Sequence, residues 1–234
     1  MKLNKKIILI FILILIVLIV VASIIKNNSV TSDEKKFKQE YEIYNNKKNK
    51  ESGKVYPKVD IPKKNKVVYA TSKQVKNLLT DGTGIIYFGF PECPWCRSMI
   101  STFLETTKEK EEKVYYYNAY SIRDEKSLDK DGNIVVKKEG TNTYKEILKL
   151  LGDNASVYEG LEDDSIKRLY FPTVVFVKNG EIVDIHVSTV ESQKDPYKKL
   201  NKKQIEELEK IYKKGIKKLK QSEESIVCTG KDSC

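Results

Sequence analysis

The chain is poor in the residues that most often carry catalysis. It holds one histidine, one tryptophan and four cysteines in 234 residues. The histidine, His186, sits inside an alternating, strand-like run. That reads as a satisfied structural residue rather than a base or a ligand. No cysteine stands near the end of the apolar N-terminal run, which excludes a bacterial lipid-anchor signal. There are no internal repeats. The balance of 43 Lys+Arg against 33 Asp+Glu gives +10, but the lysines are scattered among glutamates. No basic stripe with interleaved aromatics is present, so nucleic acid is not an expected partner. The charge suits either an anionic surface such as lipid head groups or simply a solvated, lysine-rich exterior.

Hydrophobic residues make up 40% of the chain, and many lie in the first 25 positions. Residues 7–25 form an uncharged run preceded by Lys2, Lys5 and Lys6. A run of this length can span a bilayer as one helix. The lysines favour a cytoplasmic N-terminus at 1–6, with the remainder outside. Cleavage of the run as a signal peptide, with secretion, is the alternative. Cys93, Cys96, Cys228 and Cys234 all follow this segment, so in this topology they lie where thiols tend to be oxidised. Zinc is a poor fit: four ligands are needed, and the Cys228–Cys234 spacing is too wide for the second pair.

Residues 26–65 are rich in Lys, Asn, Glu and Ser, and read as a solvated, partly helical stalk. From residue 66 an α/β order appears. Residues 66–70 form a short strand. A helix follows, capped by Thr71 or Ser72, with Gly82 just beyond its end. Residues 84–90, "GIIYFGF", form a continuous apolar strand of the buried kind. A helix begins at the cysteines, and a strand at "VYYYNAY" follows it. Residues 121–170 interrupt the alternation with a hairpin or loop and a helix ended by Gly152. Asn179-Gly180 between two alternating runs signals a hairpin. An amphipathic helix then carries Leu200, Ile205, Leu208, Ile211, Tyr212, Ile216 and Leu219 on one face. Residues 220–234 form a tail holding "CTGKDSC".

"CPWC" between an apolar strand and a helix, followed later by "FPTVVFVKNGEIV", resembles the thioredoxin superfamily over about residues 66–219. The narrower likeness is to membrane-anchored thioredoxin-like proteins of Gram-positive bacteria, including bacteriocin transport accessory proteins. The resemblance implies an α/β thioredoxin-like fold, a central mixed sheet flanked by helices, here with an insert at 121–170. It implies that Cys93 and Cys96 are the catalytic pair, that Pro94 and Trp95 form the active-site loop, and that Phe171, Pro172 and Thr173 bind substrate backbone beside them. It further implies a cis bond before Pro172. A helix N-terminus lowers a thiol pKa, so Cys93 would attack and Cys96, a turn further in, would resolve. Many members carry a buried aspartate on the preceding strand; the matching position here is Tyr87. Glu92 is expected to face solvent, its charge opposing the helix effect on Cys93.

The expected activity is thiol–disulfide exchange on cysteines of exported proteins or peptides. It needs no cofactor, and a membrane redox partner would sustain turnover. The rival reading is a binding or accessory module whose disulfide is merely structural. Cys228 and Cys234 would close a second, structural disulfide or act as a mobile relay dithiol.

Overall fold

A computed structural model describes residues 11–17 and 31–221. Residues 11–17 are helical (α1). Among the described residues no helix is long and apolar enough to cross a membrane. The rest of the 7–25 run lies outside the described residues, as do Cys228 and Cys234.

The elements that follow are α2 (Ser32–Glu42), β1 (Val67–Tyr69), α3 (Ser72–Thr80), β2 (Gly84–Phe88), α4 (Pro94–Glu109), β3 (Val114–Tyr117), β4 (Glu125–Leu128), β5 (Ile134–Lys138), α5 (Asn142–Leu151), β6 (Ser156–Val157), β7 (Lys167–Arg168), β8 (Thr173–Lys178), β9 (Glu181–Val187) and α6 (Lys202–Lys220). Five strands form a mixed sheet in the order β1-β3-β2-β8-β9. β1, β3 and β2 run parallel, and β8 and β9 pair antiparallel. The protein is thus α/β, with helices covering both faces of a mixed central sheet.

Successive strand residues point to opposite faces, and the two cores follow from that. Ile85, Tyr87, Val174 and Phe176 meet α4 and α6 through Met99, Phe103, Leu208 and Tyr212. Ile86, Phe88, Val175 and Val177 meet α3 and α5 through Val75, Leu79, Ile147 and Leu151. α6 approaches β8 closely because residue 215 is glycine: a Cβ there would lie 2.4 Å from the Phe176 ring. The hairpin turn uses Asn179 at φ 50° and Gly180 at φ 80°, the left-handed pair that such turns require.

Local chemistry sets the helix starts. Thr71 caps α3 in a box with Gln74, Asn201 caps α6 with Gln204, and Thr141 caps α5, which ends at Gly152.

Two expectations need correction. Residues 31–65 are not a stalk. Phe37 and Tyr41 of α2 are fully buried in the α4/α6-side core, and Tyr56, Val59 and Ile61 are buried too. α2 also covers the exposed side of the edge strand. Asp33 Oδ2 accepts from the Tyr69 amide at 3.0 Å, and Glu34 Oε1 accepts from the Lys66 amide at 2.8 Å. An edge strand left open would invite pairing with other chains, so acids in the first turn of α2 serve the sheet as well as the helix. Residues 121–170 are not wholly an insert. α5 belongs to the cover of the sheet, beside α3. Only the β4–β5 hairpin and the β6–β7 excursion stand apart from the five-stranded sheet.

Candidate active site

The pairing of β2 with β8 assembles the site. Phe88, at the end of β2, lies opposite Thr173, at the start of β8. The loop leaving β2 carries Cys93; the loop entering β8 carries Phe171 and Pro172. Strand register therefore brings together two motifs 78 residues apart, and the Cys93 thiol donates to Phe171 O at 3.6 Å. The Phe171–Pro172 peptide is cis. Thr173 is buried, its hydroxyl donating to Tyr170 O at 2.8 Å.

Cys93 is the N-cap of α4 and Pro94 its first residue. Proline fits there because the first-turn N–H groups have no partner within the helix. The Cys93 sulfur takes the role usually played by a capping oxygen: it accepts from the Cys96 amide at 3.2 Å. Both cysteines are buried and are free thiols. Burial works to raise the Cys93 pKa. Hydrogen bonds from the Cys96 thiol and from the amides of Cys96 and Trp95, with the positive field of Arg123, outweigh it and bring the pKa below its ordinary value. Burial pushes the Cys96 thiol well up, reinforced by its bond to Cys93, while a bond from Tyr87 works the other way. The two sulfurs are therefore unequal: the outer one ionises readily, and the inner one holds its proton.

Tyr87 is fully buried, and its hydroxyl shares a 2.8 Å hydrogen bond with Tyr41 of α2. Burial raises both phenol pKa values well above the ordinary range. Residue 89 must be small to leave room for this hydroxyl, since a Cβ on Gly89 would lie 2.3 Å from Tyr87 Oη.

Arg97 follows the inner cysteine and is buried. Its guanidinium donates to Tyr41 O at 2.6 Å, Asn45 Oδ1 at 2.8 Å, Pro57 O at 2.9 Å and Pro91 O at 3.1 Å. One cation thus ties the 41–57 segment to the loop before Cys93. Glu92 is not free in solvent as expected; it accepts from the Tyr44 hydroxyl. That bond, with some burial, lifts the Tyr44 pKa to about 12. Tyr44, Tyr56, Phe90 and Tyr120 line a cleft of about 700 Å³ that opens at Cys93.

The structure brings together Cys93, Pro94, Cys96, Phe171, Pro172 and Thr173. Trp95 lies to the other side, lining a second cleft with His186, Ser188 and Thr189. Sequence reasoning gave no site role to Tyr41, Arg97 or Arg123, because the partners that bring them to the site, Tyr87 for Tyr41, the 41–57 segment for Arg97 and Leu169 for Arg123, lie tens of residues away. Among the described residues no cluster of three or more His, Cys, Asp or Glu is placed to hold a metal.

In class, this is an α/β protein with a buried dithiol at a helix N-terminus. Comparison with models of known families, with curated proteins and with solved structures gave no match.

Proposed function

We propose that the chain is a thioredoxin-like thiol–disulfide oxidoreductase that acts on cysteines of exported proteins or peptides. The supporting observation is the inequality of the two sulfurs. Cys93 is at the helix N-terminus with a depressed pKa, and Cys96 is sealed behind it with a raised one. The strand order and the helices on both faces are compatible with the thioredoxin-like arrangement that the resemblance implies.

In the reducing direction the Cys93 thiolate attacks a substrate disulfide. A mixed disulfide forms, and the first substrate sulfur leaves as a thiolate that takes up a proton. Cys96 then gives up its proton and attacks Cys93 Sγ, which releases the second substrate thiolate and leaves a Cys93–Cys96 disulfide. Two electrons pass to the substrate. The reverse sequence oxidises a dithiol. Phe171 O and the adjoining backbone offer the substrate chain polar partners beside the sulfur. The mechanism uses no cofactor. A membrane redox partner resets the pair, and the 7–25 run tethers the domain outside the cell.

The test is exchange with a disulfide substrate. Cys93→Ser is expected to abolish it, and Cys96→Ser to accumulate mixed disulfides. Full activity in Cys93→Ser would leave a binding module in its place. The reduction potential gives the direction: about −120 to −180 mV marks an oxidant or isomerase, and about −270 mV a reductant.

A further inference from the structure

Arg123, which lies over the Phe171 ring and whose positive field reaches the Cys93 sulfur, and Arg168 beside it have no carboxylate partner among the described residues. Arg123 Nη1 donates to Leu169 O at 3.4 Å, and Arg168 Nη2 donates to Asp124 O at 3.4 Å. Each guanidinium reaches the residue next to the other arginine, so the bonds are reciprocal and the two like charges are held near one another. The strain of this shows at Arg123, whose pKa is lowered first by burial and then by repulsion from Arg168.

Neither arginine takes part in an ion pair among the described residues. The nearest carboxylate in sequence, Asp124, pairs with Lys126 at 3.3 Å. The Nε atoms of both arginines are buried without a hydrogen-bond partner. Their flat faces are occupied: Arg123 lies 4.9 Å over the Phe171 ring, and Arg168 lies 4.3 Å over the Tyr158 ring. With the faces packed and Nε enclosed, the in-plane donors left to an incoming acceptor are those of the Nη groups, and a carboxylate fits that fork in bidentate fashion. Phe171 links this arrangement to the chemistry, since its ring carries Arg123 and its carbonyl accepts from the Cys93 thiol.

We propose that Arg123 and Arg168 receive a carboxylate of the disulfide substrate, which selects cysteines with an acidic neighbour or close to a chain's C-terminus. The inference rests on the oxidoreductase reading and adds a substrate class to it. Like charges gathered at one place, with donors unspent, are stabilised when an anion arrives.

The experiment uses the full chain and disulfide-bonded peptides differing only in the residue beside cysteine, Glu or Gln, and in a free or amidated C-terminus. Second-order exchange rates are measured for each. The Glu or free-carboxylate peptides are expected to react about tenfold faster, the scale of one charge-assisted hydrogen bond. The Glu/Gln arm and the terminus arm separate the two sources of the carboxylate. The ratio is expected to fall towards one in Arg123→Gln and Arg168→Gln, whatever happens to their absolute rates. Equal rates across peptides, or a preference that survives both substitutions, overturn the inference and leave the oxidoreductase reading intact. Absence of exchange with every peptide overturns that reading instead. Binding of the same peptides with serine in place of cysteine then judges the arginine site alone, and binding indifferent to charge rejects it.

Discussion

At Tyr87 the chain places a fully buried phenol beside Cys96, at the position where the resemblance drawn from the sequence would lead one to expect a carboxylate. The two groups differ in what they can do for Cys96. A carboxylate titrates and takes a proton. The Tyr87 hydroxyl, its pKa driven upward by burial, stays protonated and can only donate to a forming thiolate. Removing it with Tyr87→Phe should slow resolution of the mixed disulfide two- to tenfold, as expected from about 0.5–1.5 kcal/mol for a neutral hydrogen bond. Attack by Cys93 should be little changed. Stopped-flow separation of the two steps tests this; equal slowing of both would refute it. In the native protein the attack rate should rise with pH and level off below the ordinary thiol value of about 8.5, because the Cys93 pKa is depressed. No carboxylate-type step is expected beneath it. The tyrosine at position 87 was visible in the sequence, but its hydrogen bond was not, because the partner hydroxyl comes from Tyr41, 46 residues earlier.

Among the elements, α2 carries the largest surprise. The Thr71 start of α3, the Asn179-Gly180 turn and the apolar β2 were all legible, because each is written in residues close in sequence. α2 was not. Its apolar stripe is narrow, Phe37 and Tyr41 in a background of lysine and glutamate, and a narrow stripe does not say whether it docks. Docking is decided by β1, by Arg97 and by the pocket those residues enter, all far along the chain. The structure makes the difference measurable. Phe37 is fully enclosed and stacks on Tyr41 at 4.4 Å. Phe37→Ala should therefore cost about 3–5 kcal/mol in urea unfolding. A residue of a solvated stalk would cost almost nothing. In the 121–170 stretch the hairpin and the helix after it were legible, while the β6–β7 pair and the allegiance of α5 were not. Sequence pattern shows that α5 is a helix, but only the sheet shows which face needs it.

The whole molecule has a vulnerability set by its buried phenols. Tyr41, Tyr87 and Tyr212 are fully enclosed, and burial raises all three pKa values well above 10. In the unfolded chain they ionise near pH 10. Above that pH the unfolded state binds fewer protons than the native one, so stability falls as pH rises. It is fully present below about pH 10 and is lost beyond, by up to about 1.4 kcal/mol per pH unit for each such group. Urea midpoints between pH 8 and 11 should show the decline. Tyr212→Phe, which removes a buried hydroxyl with no hydrogen-bond partner, should flatten it; an unchanged slope would count against the explanation.

The enclosure of Cys96 has one more consequence. The cysteine has no exposed surface, while the phenols around it, Tyr41, Tyr87 and Tyr212, come from α2, β2 and α6, regions widely separated along the chain. An alkylating reagent can reach that sulfur only when those regions part. The rate at which Cys96 is labelled is therefore a clock for spontaneous opening of the native state, and Cys93 beside it reports the chemistry of the closed form.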